Sequence, residues 1–260
     1  MKQDLSDITF LIPVRLDSII RLENLILSVG YLKKHFRTNI LIFEASEYNN
    51  HFIEKLLGKE VKYYFHEDHD PVFYRTRYLN WMVDMATTSY LGIWDSDVIV
   101  PKQQILDSIS QLRNGFVDMI YPFDGHFYDT SEPVRELYLR KRNIKTLSSN
   151  IYKMELIYGD RAVGGAFMVN KLAYIESGKE NERFYGWGPE DGERFHRWKN
   201  LGKIVEFSTG NLYHLSHPRG INSGIRSANQ RINTQRELIL IQQSSKEEII
   251  KSLNNVEQHC

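Results

Sequence analysis

Short apolar runs alternate with segments of helical spacing through the first hundred residues, and few folds accommodate that pattern. ITFLIPVR (8–15) reads as a strand ending at Pro13 and Arg15, and SIIRLENLILSVGYLKKHF carries its apolar residues at helical period. NILIFEAS and KYYFHE read as further strands with NNHFIEKLLG as the helix between them; FYRTRYLNWMVDMATT is then a helix and SYLGIWDSD a strand. The alternation predicts an α/β fold on an open, mostly parallel, Rossmann-like sheet with helices on both faces. In such sheets ligands bind beyond the carboxyl ends of the strands, which is where Arg15, Glu44, Asp95 and Asp97 fall.

The pattern continues with a helix in PKQQILDSISQLRNG and a strand in FVDMIYPF. Residues 125–160 include RELYLRKRNIKTLSSNIYKME, a polar stretch expected to be a mobile or substrate-contacting insertion. VGGAFMVNK is a strand opened by Gly164 and Gly165, where a backbone can approach a ligand closely. FYGWGPEDGERFHRWKNLG is a loop entering a helix, and KIVEFS and LYHLSHPRG follow. Residues 1–225 are expected to form one catalytic domain, with 226–260 as a helical tail, amphipathic and packed on it.

Composition removes several classes of function. Lys and Arg together number 33 and so do Asp and Glu, so no global field would hold a nucleic-acid backbone or an anionic bilayer. The only cysteine is Cys260, which leaves no disulfide framework and fits a cytoplasmic location. MKQDLSDITF lacks the apolar core of a signal peptide, and membrane contact is expected to be peripheral at most.

The chemistry-bearing residues are scattered. Asp95 and Asp97 lie two apart at the end of an apolar run, and residues i and i+2 of a strand share a face. Two carboxylates so close call for a cation, and oxygen ligands suit Mg²⁺ or Mn²⁺ bridging to nucleotide phosphates. An Asp-x-Asp alone is more often a solvated strand end. His214 and His217 are three apart, a spacing that on a turn or short helix brings both imidazoles to one side, and Mn²⁺ accepts imidazole more readily than Mg²⁺ does. In GWGPEDGE, Glu190 and Asp191 open a helix with Pro189 in its first turn, which capping explains; capping does not explain Trp187, a large indole between two glycines. Arg15, Arg75 and Arg77 are candidates for phosphate oxygens, or else solvated charges on helix faces.

In order, these pieces resemble the beta-1,4-galactosyltransferases and related metal-dependent, inverting GT-A glycosyltransferases. The resemblance rests on Pro13-x-Arg15, then Phe73-x-Arg75 with Leu79 and Asn80, then DSDVIVP, then Gly164-Gly165, then Trp187-Gly188-x-Glu190-Asp191, and finally the 214–217 stretch. It covers residues 8 to 220 and leaves the 125–160 insertion unmatched. The resemblance implies that Asp97 and His217 bind Mn²⁺ (or Mg²⁺), with Asp95 near the ribose or the metal shell. The family carries methionine where His214 stands, which leaves open whether His214 is a third ligand. Asp191 would be the catalytic base, Glu190 would hold acceptor hydroxyls and Trp187 would pack against sugar. Pro13, Arg15, Phe73, Arg75 and Gly165 would line the nucleotide and diphosphate site. A UDP-sugar donor and a saccharide acceptor follow, and the Trp-Gly-x-Glu-Asp segment is shared with bacterial capsule-building transferases, which points to surface polysaccharide synthesis.

Two other readings use some of the same residues. A metal-dependent nucleotidyltransferase needs a glycine-rich, basic phosphate-cradling loop near the N-terminus, and LIPVRLDSIIR has none. An inactive carbohydrate-binding protein of the same fold would have no use for an intact Asp191 and metal set.

Overall fold

Ile8, Phe10, Leu11 and Ile12 are fully buried, which makes β1 (Gln3–Val14) an interior strand covered on both faces. The chain then runs through α1 (Ile19–His35), β2 (Phe36–Ser46), α2 (Phe52–Leu57), β3 (Lys62–Glu67), α3 (Arg75–Met85) and β4 (Tyr90–Trp94), the alternation that the sequence predicts. Next come β5 (Val98–Ile99), α4 (Lys102–Arg113), β6 (Met119–Tyr121), β7 (Phe127–Asp129), α5 (Glu132–Lys141), α6 (Ile144–Ser148) and β8 (Glu155–Ile157). The last elements are β9 (Ala166–Asn170), α7 (Lys171–Glu176), α8 (Glu190–Asn200), β10 (Val205–Phe207), β11 (Leu212–His214), α9 (Ala228–Gln243) and α10 (Lys246–Glu257). The computed structural model describes residues 1–159, 161–220, 222 and 224–257, so Cys260 lies outside the described residues. Local chemistry fixes the helix ends: Ser18 caps α1 by accepting from the Arg21 amide, and Lys33, Lys34 and His35 fill the last turn, where the helix dipole favours cations.

Seven strands pair in the order β10-β6-β9-β4-β1-β2-β3. Neighbours are parallel except at β9, which is antiparallel to both β4 and β6. From β1 the chain builds β2 and β3 on one side, then returns to place β4 on the other. That reversal opens a crevice at the carboxyl ends of β1 and β4. The main core fills both sides of this sheet, with Leu25 and Val29 of α1, Leu79 and Met82 of α3 and Ile105 of α4 packed on it. A second sheet, β5-β11-β7-β8, continues from β4 through the turn that contains Asp95 and Asp97.

Three expectations change. Residues 127–157 are packed structure rather than a mobile insertion: Val134, Tyr138 and Leu147 share a second apolar core with Leu27 and Tyr31 of α1 and with Tyr213 and Leu215. Most of the charged residues of this segment face outward from α5 and α6, which is why it reads as polar, while Arg135 is buried and donates to Asn24 and Glu23 of α1. The tail is two helices, and α9 is not amphipathic, since Ile232, Ile239 and Leu240 are exposed and Thr234 is its one buried residue. Polar contacts hold it instead, among them Asn200 Nδ2 donating to the carbonyls of Ile241 and Ser244. Pro189 takes the N-cap position of α8 rather than its first turn. Among the described residues, no helix is long and apolar enough to cross a membrane.

Candidate functional site

The crevice at the carboxyl ends of β1 and β4 opens into a cavity of about 520 Å³. Twelve of the residues singled out above line it: Pro13, Arg15, Phe73, Arg75, Asp95, Asp97, Gly165, Trp187, Glu190, Asp191, His214 and His217. The turn after β4 supplies Asp95 and Asp97, so the two carboxylates reach the cavity by chain reversal and not by strand alternation. They have different partners. Arg75 Nη2 donates to Asp95 Oδ1 at 2.8 Å, whereas Asp97 faces the two histidines.

His214 ends β11 and His217 follows in the loop, so the pair comes from a strand end and not from a helix or tight turn. His217 Nε2 lies 3.1 Å from Asp97 Oδ2, and His214 Nε2 lies 3.5 Å from Asp97 Oδ1. One ligand atom from each of the three residues falls within 4.8 Å of the others. Adjacent ligands of an octahedral ion held at about 2.1 Å stand about 3 Å apart, so the set has the span that a small divalent ion requires. One carboxylate and two imidazoles suit Mn²⁺ better than Mg²⁺. His214 Nδ1 donates to Asp129 Oδ1 at 2.8 Å, which turns Nε2 toward the cavity. Burial works to lower the His214 pKa, but the Asp97 carboxylate and Asp129 push it up to about 10. Burial likewise works to raise Asp97, and the His214 cation with His217 holds it well below the ordinary carboxylate range.

A second charged cluster is built on the first turn of α8. Glu190 is buried, and its Oε2 accepts from the Gly188 amide at 3.2 Å. Burial, then the neighbouring Asp191 carboxylate, push Glu190 up to about 8. Asp191 Oδ1 accepts from Arg194 Nη2 at 2.6 Å, and Arg194 has no exposed side-chain surface. Its Nη1 donates to both oxygens of Glu180, at 3.0 and 3.1 Å. Its guanidinium lies 4.0 Å from the centre of the Phe167 ring. Trp187 is 39% exposed at the cavity mouth, with its carbonyl accepting from Gln230 of α9.

All three arginines considered for phosphate have partners within the fold. Arg15 donates from Nε to the Ala45 carbonyl and from Nη1 to the Asp70 carbonyl, both at 2.7 Å, and from Nη2 to Asp68. Its fork fastens the loop before α3. Arg75 is the counterion of Asp95; burial opposes its charge, and the Asp95 carboxylate, followed by Asp191, more than offsets that. Arg77 pairs with Glu182 outside the cavity. Arg161 and Arg219 line the cavity with no carboxylate partner among the described residues. Arg219 stands two residues beyond His217 in LYHLSHPRG, a signal the sequence reading passed over. It also missed Asp129, Arg194 and Glu180, whose contacts span 85, three and 14 residues of chain.

No family model and no curated protein sequence matches the chain. Solved structures do. The catalytic domain of Drosophila beta1,4-galactosyltransferase 7, crystallised with xylobiose, is 17% identical with a TM-score of 0.55, and the match covers 90% of this chain and 79% of that one. A mutant of the same enzyme with manganese, UDP-Gal and xylobiose gives 15% identity and a TM-score of 0.56, over 89% and 79%. The chain has the GT-A fold. GalNAc-T7 with UDP, GalNAc and Mn²⁺ is 13% identical with a TM-score of 0.57, matched over 90% of this chain and 48% of that longer one. Within the GT-A fold the Asp97–His214–His217 set and the Glu190–Asp191 turn flank one crevice.

Proposed function

We propose that the protein is a metal-dependent, inverting glycosyltransferase that moves a sugar from a UDP-sugar to a hydroxyl of a saccharide acceptor. The observation that carries this reading is the convergence of a metal-sized Asp97–His214–His217 set and an arginine-held Asp191 on one cavity at the switch point of the sheet. Neighbours of the same fold hold manganese with UDP-Gal, or Mn²⁺ with UDP, together with sugars. A divalent ion held by Asp97, His217 and His214 would supply charge neutralisation for the leaving diphosphate.

The chain's own residues account for the rest. Asp191 takes the proton from the acceptor hydroxyl as that oxygen attacks the anomeric carbon, and the bond to the diphosphate breaks on the opposite face. Glu190, with its raised pKa, keeps a proton near neutrality with which to hydrogen-bond a sugar oxygen. Arg219 replaces Arg15 and Arg75 as the cation for the diphosphate, because it is not committed to an internal carboxylate. Trp187 offers its indole to an acceptor ring at the mouth. The polysaccharide role and the cytoplasmic location belong to the same proposal. The test is the product's anomeric configuration, read by NMR from a UDP-sugar of known configuration: inversion is expected, and retention would remove Asp191 from the role of base.

A further inference from the structure

Asp191 is held from two sides, by an arginine outside the motifs and by the first glycine of the Gly164-Gly165 pair. On one side is Arg194, three residues along the same helix. Its Nη2 takes Asp191 Oδ1 at 2.6 Å while Nη1 is spread across both oxygens of Glu180. Glu180 is itself fixed: Tyr174 donates its hydroxyl to Oε1 at 2.5 Å, and Asn80 accepts from the Glu180 amide at 2.9 Å and donates to its carbonyl at 3.0 Å. Phe167 lies against the Arg194 guanidinium plane, so the group is packed as well as hydrogen-bonded. A fully buried guanidinium is costly to desolvate, and its two carboxylates offset that cost only in this geometry.

On the other side is Gly164. A Cβ built on it would stand 2.5 Å from Asp191 Oδ2 and 3.3 Å from Asp191 Cγ, so any side chain there moves the carboxylate. Oδ2 occupies the space that the missing Cβ leaves. Among the described residues, Oδ2 accepts no hydrogen bond, and the Asp191 side chain is 30% exposed to the cavity.

We propose that Arg194 and Gly164 are positioning residues for Asp191: the guanidinium ties down Oδ1, and the bare glycine makes the room in which Oδ2 stands free to accept the acceptor's proton. The proposal rests on the reading of Asp191 as the base. In the step it assigns, the acceptor O–H proton passes to Oδ2. The acceptor oxygen bonds the anomeric carbon, and the nucleoside diphosphate leaves with the electron pair of the broken bond. Two anchors matter because misplacing a catalytic group by about 1 Å can cost about 10²-fold in rate.

The experiment compares Gly164→Ala, Arg194→Lys, Asp191→Asn and the Gly164→Ala/Asp191→Asn double variant in the full chain. It measures kcat, donor KM and the melting-temperature rise given by UDP with Mn²⁺. The proposal expects Gly164→Ala and Arg194→Lys to lower kcat by about 10- to 10²-fold, with donor KM and the UDP–Mn²⁺ response unchanged. Adding Gly164→Ala to Asp191→Asn should cost nothing further, since moving a base that has been removed has no consequence. Wild-type kcat in Gly164→Ala, or full additivity in the double variant, overturns the proposal while Asp191→Asn remains inactive. Turnover surviving in Asp191→Asn itself would instead overturn the reading of Asp191 as base.

Discussion

Two charged clusters face the same cavity and are neutralised in opposite ways. Around Asp97 the partners are two imidazoles, His214 and His217, whose ring nitrogens can hold a metal ion. Around Asp191 the partner is Arg194, a permanent cation with no exposed surface. The first cluster is therefore exchangeable and the second is not. A site that must accept a diphosphate and then release it needs an adjustable charge at one end. A site that must take the same proton in every turnover needs a fixed carboxylate at the other. Under the proposed function, this difference in neutralisation assigns donor binding to the first cluster and proton transfer to the second.

The largest effect should come from separating the two ends. Asp191→Asn should lower turnover by about 10²- to 10⁴-fold and leave the Mn²⁺-dependent thermal shift with UDP intact, as measured by steady-state assay and differential scanning fluorimetry. Loss of that thermal shift would show that the clusters are not separable. His217→Ala should do the reverse, raising the Mn²⁺ concentration for half-maximal UDP binding at least about tenfold by analogy with the loss of metal-supporting groups. Overlaying titrations would remove His217 from the ligand set. Asp129→Asn sharpens the comparison, since it leaves all three ligands in place and removes only the group that orients His214. A loss of about 10-fold in metal affinity is expected, and none would mean that His214 does not ligate.

The smallest effect concerns stability. Glu190 has a folded pKa of about 8 against an ordinary value of 4.5. The native chain therefore keeps a proton that the unfolded chain releases, and stability falls as pH rises from about 4.5 to about 8. Glu190→Gln should remove that slope. Its melting temperature should exceed wild type by a few degrees at pH 8 and should converge on it near pH 4. A variant that tracks wild type at every pH would show that Glu190 is not held neutral in the fold.

Much of this architecture is legible in the chain because periodicity and position encode it. Apolar runs place β1 and β4, and the residues just past those runs, Arg15 and Asp95, had to arrive at the crevice. What was hidden depends on pairing across the sheet. Asp129 meets His214 only because β7 and β11 run parallel in the register that aligns those two residues, and nothing in FYD or LYH announces it. Arg194 reads as an exposed helix charge in GERFHRWKN, yet it is buried against Glu180 by a loop that no local pattern predicts. Arg15 and Arg75 show the converse: both reach the cavity, as their places in the sequence indicate, but their partners, the Ala45 and Asp70 carbonyls with Asp68 for one and Asp95 for the other, are not announced by any local pattern.

The measurement that tests the central claim most directly is the release of UDP from a panel of UDP-sugars with a saccharide acceptor, followed with and without Mn²⁺ in wild type, His217→Ala and Asp191→Asn. The account predicts that at least one UDP-sugar is turned over, that release depends on Mn²⁺, and that each substitution abolishes it for its own reason, metal response for the first and rate for the second. Release that proceeds equally without metal, or that survives both substitutions, would contradict it.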